Sequence, residues 1–289
     1  MLATPNTANA LDHFNIALGE EATFTMDHLK SDSQKSLSYR VDSKLKENIL
    51  LHIECDRGKA RLNSRGLPHT GDWLNAIPSP ILGLYFKPSE FRLAVLYCLG
   101  APVFTLEGKC PACPNRSDVF GDHAISCRYQ GERIARHNQL RDKLFHTAVC
   151  AQLAPSREER ALLPGIDQRP ADIFIPHWSS GKDTAYDVTI INPLQLELAV
   201  RSAKVQGHSL TVAYKREWEM YGDACFQEGI DFVPLPVETM GGWSEGASGH
   251  IQRLGQALAR ALGREESETV NHLFQCLSIL LMKGNRHSF

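Results

Sequence analysis

Two clusters of side chains in this sequence have the types and spacing that chemistry needs. The first is Cys110-Pro-Ala-Cys113, nine residues, His123, three residues and Cys127. Two thiolates on a tight turn plus a distant His/Cys pair supply four soft ligands, the tetrahedral set that zinc takes. All four positions are filled, so the expected metal is structural; a catalytic zinc would keep one position open for water. Pro111 and Pro114 stiffen the turn, Gly121 permits a bend before His123, and His137 is a less well placed alternative ligand.

The second cluster is a pair of aspartates. Arg169–Trp178 and Thr184–Leu194 are rich in β-branched and aromatic residues and flank Ser179-Ser180-Gly181-Lys182-Asp183, which predicts a β-hairpin. With a two-residue Ser180-Gly181 turn, Asp172 faces Thr189 and lies diagonal to Asp187 on one sheet face. Two carboxylates a strand apart make a hard-oxygen site suited to Mg²⁺. Such a metal can activate a water and stabilise charge building on a phosphate. The alternative is two unrelated edge aspartates. A lysine would complete the site, but Thr189 stands where D-x-K would place it. Lys204 on the following helix is the best candidate, with Lys182 and Lys215 weaker, and Glu159 could add a third carboxylate or belong to a solvated charge run.

These residues need elements to position them. Residues 1–30 are mixed, and 30–65 carry nine Lys/Arg against five acids around a helical core at Ser43–Glu54. Glu90–Leu99 is a short element among Pro78, Pro80 and Pro88. Gly131–Leu153 has Ile134, Leu140, Leu144 and Val149 at near-helical spacing, and Pro155 ends it. After the hairpin come helices at about 195–206 and 209–228, a strand at Ile230–Val237, and two closing helices at about 246–262 and 266–283. The order fits an α/β or α+β domain from about 128 to the end. Val270, Leu273, Phe274, Leu277, Leu280 and Leu281 give the last helix a broad apolar face for the core. Trp178, Trp218 and Trp243 read as core residues, with stacking platforms as the alternative.

The chain has 289 residues, 43% hydrophobic and 22% charged, with a net charge of −2. That composition excludes a disordered tail, a collagen-like fibre and a coiled-coil rod. Leu93–Phe104, the longest nearly apolar stretch, is too short for a membrane span and contains Gly100 and Pro102. No basic and apolar leader opens the sequence, and of eight cysteines five are scattered singly, so an intracellular chain with buried thiols and one metal site is expected. A chain that coats nucleic acid is usually basic overall, so any such binding here needs local patches.

CPACP…GDHAISC, then RIARHNQLRD, then REE…RPADI and DVTIINPL resemble the C-terminal region of site-specific non-LTR retrotransposon polyproteins. That region carries a zinc knuckle followed by a restriction-like endonuclease of the PD-(D/E)XK superfamily. The resemblance covers roughly residues 60–289 and is strongest from 110 to 194. It implies an α/β, PD-(D/E)XK nuclease-like mixed sheet flanked by helices, preceded by a small CCHC zinc module and a mostly helical N-terminal region. The implied domains are 1–108, 109–130 and 131–289. It also implies target-DNA nicking with Mg²⁺ or Mn²⁺, the freed 3′ end priming reverse transcription.

Carried over, Asp172 matches the PD aspartate, Asp187 the second acidic position and Lys204 a lysine displaced to the next helix. The motif departs from the family in reading P-A-D for P-D and in lacking lysine at D-x-K. DNA, with the element's RNA as a second partner, and a nuclear location are the corresponding expectations, with no membrane and no small-molecule cofactor. The sequence contains no Asp-Asp pair, so the palm carboxylates of a polymerase are missing. Arg128, Arg133, Arg136, His137 and Arg141 follow the knuckle, a basic run suited to clamping a nucleic-acid backbone. The plain alternative is a solvated helix face offset by Glu132 and Asp142, or a binding module whose nuclease fold has lost activity.

Overall fold

The computed structural model describes residues 5–19, 24–25, 27, 33–127, 131–158, 162–163, 170–286 and 288–289. The chain forms two compact units, Met1–Cys55 and Asp56–Phe289. The first contains α1 (Pro5–Leu18) and α2 (Gln34–His52). Ser33 caps α2 by accepting from the Ser36 amide, which satisfies one of the orphan donors of the first turn. The expected helix at Ser43–Glu54 is the second half of α2.

The second unit opens with α3 (Asp56–Arg65), α4 (Asp72–Asn75) and α5 (Pro88–Leu99). Pro88 starts α5, the Glu90 carboxylate accepts from the Lys87 amide, and Gly100 closes it in the left-handed region at φ 71°. A Cβ at Gly100 would stand 2.9 Å from the Arg61 side chain, so glycine serves both the turn and the approach of α3. The two-residue strands β1 (Gly108–Lys109) and β2 (Arg116–Ser117) and the short α6 (Asp122–Ser126) carry the Cys/His cluster. The long α7 (Glu132–Cys150) follows.

The sheet is mixed, in the order β3 (Ser156–Arg157), β4 (Ile173–Ser179), β5 (Lys182–Ile191) and β6 (Asp231–Glu238). The first two pairings are antiparallel and β5–β6 is parallel. A parallel neighbour cannot be reached through a tight turn. The connection accordingly runs through α8 (Leu196–Ser202) and α9 (His208–Gln227). The helices α10 (Glu245–Leu262) and α11 (Glu266–Arg286) close the chain.

One sheet face buries Tyr186, Val188, Leu235 and Val237 against Leu140 and Leu144 of α7, Ile251 of α10 and Leu277 of α11. The other face packs Ala185 and Phe232 against Cys225 of α9, and Ile191 against Leu210 and Ala213. This is a small mixed sheet between helical layers, as the sequence predicts at the level of fold class. The apolar face of α11 is core, as expected. The boundaries at 108 and 130 are not seams, because Ala60, Tyr97, Ile125, Leu194 and Met240 share one core. Segment 56–108 thus belongs to the main body, and short helices with little apolar periodicity hide that in sequence. No helix among the described residues is long and apolar enough to cross a membrane.

Candidate metal centre and acidic cleft

The Cys110-Pro-Ala-Cys113 turn sits between β1 and β2, and α6 delivers His123 and Cys127 to it. Cys110 Sγ lies 3.7 Å from Cys127 Sγ, and Cys113 Sγ lies 3.3 Å from His123 Nε2. All four donor atoms fall within 4.8 Å of one another. Tetrahedral zinc with bonds of about 2.0–2.3 Å separates its ligands by roughly 3.5–3.8 Å, so the spacing and the donor chemistry both fit that ion. Desolvation pushes the Cys110 thiol up, but hydrogen bonds from the Ala112 amide, His123 and Cys113 outweigh it and bring the thiol down to about 6. Thiolate is the ligating form, so the cage is tuned for metal.

A polar network fixes this cage to the main body. Asp118 accepts from the His123 amide at 2.8 Å and from Arg57 at 2.8 Å, and Arg57 and Arg61 both pair with buried Asp122. Asn192, just past β5, donates to the Asp122 carbonyl and the Ser126 hydroxyl. The basic residues of 57–65 are therefore partly structural, which their sequence context does not reveal.

The hairpin turn is Ser180-Gly181, as expected, with φ of 54° and 76° at the two residues. The register is not the expected one. Ser179 pairs with Lys182, but Ile175 pairs with Thr184 and Ile173 with Tyr186. Three residues, Pro176 to Trp178, oppose Asp183 alone, forming an enlarged bulge. Pro176 has no amide to pair, His177 takes φ of 50°, and its amide donates to Asp183. The two-residue shift sets Asp172 opposite Asp187 and not opposite Thr189, and the Asp172 amide donates to the Tyr186 carbonyl at 2.9 Å.

Asp187 lines a cleft of about 450 Å³ together with Arg133, His137, Thr189, Arg216 and Glu217 among others, while Asp172 is buried beside it. Asp172 Oδ2 accepts from the Val188 amide at 2.7 Å and lies 3.0 Å from His137 Nε2. Thr189 Oγ1 stands 3.3 Å from Asp187 Oδ2 and 3.2 Å from Glu217 Oε1, bridging two carboxylates with a single proton. Desolvation, followed by the charges of Asp172 and Glu217, pushes Asp187 up to about 7. Burial disfavours a charged His137, yet the hydrogen bond and charge of Asp172, with Asn138 and Asp187, raise it above the ordinary imidazole value.

The structure thus brings Asp172, Asp187 and His137 together and adds Glu217, which the sequence reading missed. Its signal was available: Leu210, Ala213, Glu217, Tyr221 and Ala224 form one inward stripe of α9, and a carboxylate in such a stripe needs a reason. Lys204 is exposed beyond α8, outside the cleft lining. Lys182 and Lys215 are exposed as well. Among the described residues, the Cys/His cage is the one group of three or more His, Cys, Asp or Glu whose donors converge to ligand distance. The acidic cleft is more open than that.

The described residues of the basic run differ in environment. Arg136 is 2% exposed and donates to the Asn285 side chain and the Ile125 carbonyl, so its guanidinium is a buried clamp, although the residue borders the cleft. The approach is close because Gly284 leaves the room: a Cβ there would lie 2.8 Å from the Arg136 side chain. Arg141 pairs with Glu158 and Asp142. Arg133 and His137 reach the cleft. Arg128 and Glu159 lie outside the described residues.

No protein-family model and no curated protein matches the chain.

Proposed function

We propose that the chain is a metal-dependent DNA endonuclease of the PD-(D/E)XK type, the zinc-knuckle and nuclease region of a non-LTR retroelement. The observation that carries this reading is the placement of Asp172 opposite Asp187 on a mixed sheet, with Asp187 and His137 lining the cleft beside them. Mg²⁺ keeps several waters and binds through one or two carboxylates, so a carboxylate pair at the edge of a cleft suits it better than a closed cage would. Asp172 and Asp187 would hold Mg²⁺ or Mn²⁺, which when bound supplies Lewis-acid stabilisation of a phosphodiester and a more acidic water. Val188 and His137 fix the Asp172 carboxylate by hydrogen bonds, while Thr189 orients Asp187. Arg133 and Arg216 at the cleft offer positive charge to a phosphate. The knuckle, locked to α3 and to the end of β5, would hold DNA or the element's RNA beside the cleft.

One observation favours a second reading, a nucleic-acid-binding module that no longer cuts: no lysine lines the cleft among the described residues. Nicking of supercoiled plasmid with Mg²⁺ or Mn²⁺, run beside Asp187→Ala, separates the two. Cleavage that disappears in the variant supports the nuclease. Salt-sensitive DNA binding without cleavage supports the module.

A further inference from the structure

The large aromatic residues divide by environment. Trp73 and Trp243 are buried at 4% and 2%, whereas Trp218 is 37% exposed and Tyr214 40% exposed. The expectation that Trp218 is a core residue therefore does not hold. The two rings are stacked one helical turn apart, with centroids 5.9 Å from each other and planes only 9° apart. Gly222, one turn further on, makes this possible: a Cβ there would lie 2.7 Å from the indole ring. The helix thus keeps a small residue where the indole must lie against it, and leaves two parallel rings partly exposed, the indole also meeting Phe232 at 6.3 Å between centroids.

The neighbours of the pair say what fits it. Lys215 and Arg216 lie between the two rings in sequence, and both are exposed. Arg216 also pairs with Glu217 at 2.6 Å, and Glu217 faces the acidic cleft. Exposed aromatic rings interleaved with cations are the elements that bind single-stranded nucleic acid, because every base has a π-face and the phosphates follow the cations. Asp231 acts on Tyr214, and Glu219 and Asp223 occupy the same helix. These acids would repel a phosphate, so a bound backbone must track over Lys215 and Arg216.

We propose that Tyr214 and Trp218 form a stacking platform for unpaired nucleobases of a strand whose phosphates pass into the adjacent cleft. The inference rests on the nucleic-acid reading above but not on cleavage. It also accommodates a chain of net charge −2, since stacking contributes affinity that does not depend on an overall basic surface.

The test uses the full, zinc-loaded chain without added Mg²⁺. Tryptophan emission and the anisotropy of labelled oligo-dT, oligo-rU and duplex DNA of about 20 nucleotides are followed in the wild type, Tyr214→Ala, Trp218→Ala and Trp218→Phe. Oligo-dT or oligo-rU should quench wild-type emission, and the tighter of the two identifies the strand as DNA or RNA. Trp218→Ala should lose the quench and bind the single strand about tenfold more weakly, with duplex affinity unchanged. Trp218→Phe should stay within about twofold, because the ring is kept. Single-strand affinity equal in Trp218→Ala and wild type, with plasmid nicking intact, would overturn the platform and leave the nuclease reading standing. Ring-dependent binding by a protein that nicks nothing would support the platform and count against the nuclease. No binding of any oligonucleotide would overturn both. Self-association that is lost in Trp218→Ala, with oligonucleotide binding unaltered, would overturn the platform and assign the rings to a second copy.

Discussion

Asp172 and Asp187 stand directly across the hairpin from each other because the Pro176–Trp178 bulge shifts the register by two residues. Without the bulge, Asp172 would face Thr189 and the two charges would lie on a diagonal. Desolvation, together with the nearby charges of Asp172 and Glu217, is why Asp187 holds its proton up to about 7.

That proton has a stability consequence with a definite sign. An unfolded aspartate titrates near 3.9, so the contribution of Asp187 is fully present below about pH 4 and is lost as pH rises through about 7. Asp187→Asn should therefore raise the Tm at pH 8 by about 3–6 °C, corresponding to about 1–2 kcal/mol, and leave it unchanged at pH 4. Mg²⁺ should stabilise the wild type at pH 8 and not the variant, by replacing the proton as counter-charge. Scanning fluorimetry at both pH values, with and without Mg²⁺, reads all of this. Parallel pH profiles for the two proteins would refute it.

The Cys/His cage should contain about one zinc per chain, measurable by mass spectrometry of the metal released on thiol modification. Its binding energy is also folding energy, and the Asp118–Arg57 and Asp122–Arg61 pairs transmit it to α3. Cys110→Ser or chelation should lower the Tm by about 10 °C or more. A chain that folds to the same Tm without zinc would show that the cage is dispensable.

Local signals in the sequence located the cage, the hairpin turn and the strand that follows the helical crossover. The four Cys/His donors lie within eighteen residues, and Ser180-Gly181 sits between two β-rich runs, so both are readable from a short window. The exact pairing of Asp172 was not, because a bulge around Pro176 depends on Asp183 and Thr184 accepting the freed amides. Glu217 reaches Thr189 only through packing of α9 on the sheet. Arg136 looks like its solvated neighbours in sequence, and only the approach of Gly284 and Asn285 buries it.

Arg136 gives a stability prediction opposite to its expected binding role. Burial pulls its pKa down to about 10, with the charge of Arg133 working in the same direction, and its Nε has no hydrogen-bond partner. Arg136→Ala removes the donors to Ile125 and Asn285 and leaves a cavity, which should cost about 2–4 kcal/mol in urea denaturation. Arg136→Met keeps the apolar stem and should cost less. The salt dependence of DNA binding should be the same in any variant that folds. A reduced salt slope would place the guanidinium on a phosphate after all.

Glu238 at the end of β6 is 1% exposed, and its two carboxylate oxygens accept from Ser64 of α3 and Ser209 of α9. Burial raises its pKa, while the two serine bonds pull it back. The sign is that of a raised acid: its contribution is present below about pH 4, the unfolded value, and is lost as pH rises through the raised folded value. The serine donors matter most to the ionised form, which would otherwise be a buried charge without partners. Ser64→Ala and Ser209→Ala should therefore each cost about 1–3 kcal/mol in urea denaturation at pH 8 and less at pH 5. Glu238→Gln should flatten the wild-type decline in stability between those pH values, because the amide carries no charge to bury. Equal serine costs at both pH values would mean that the carboxyl stays protonated in the folded protein throughout that range, whereas an unchanged slope in Glu238→Gln would mean that folding does not raise its pKa at all.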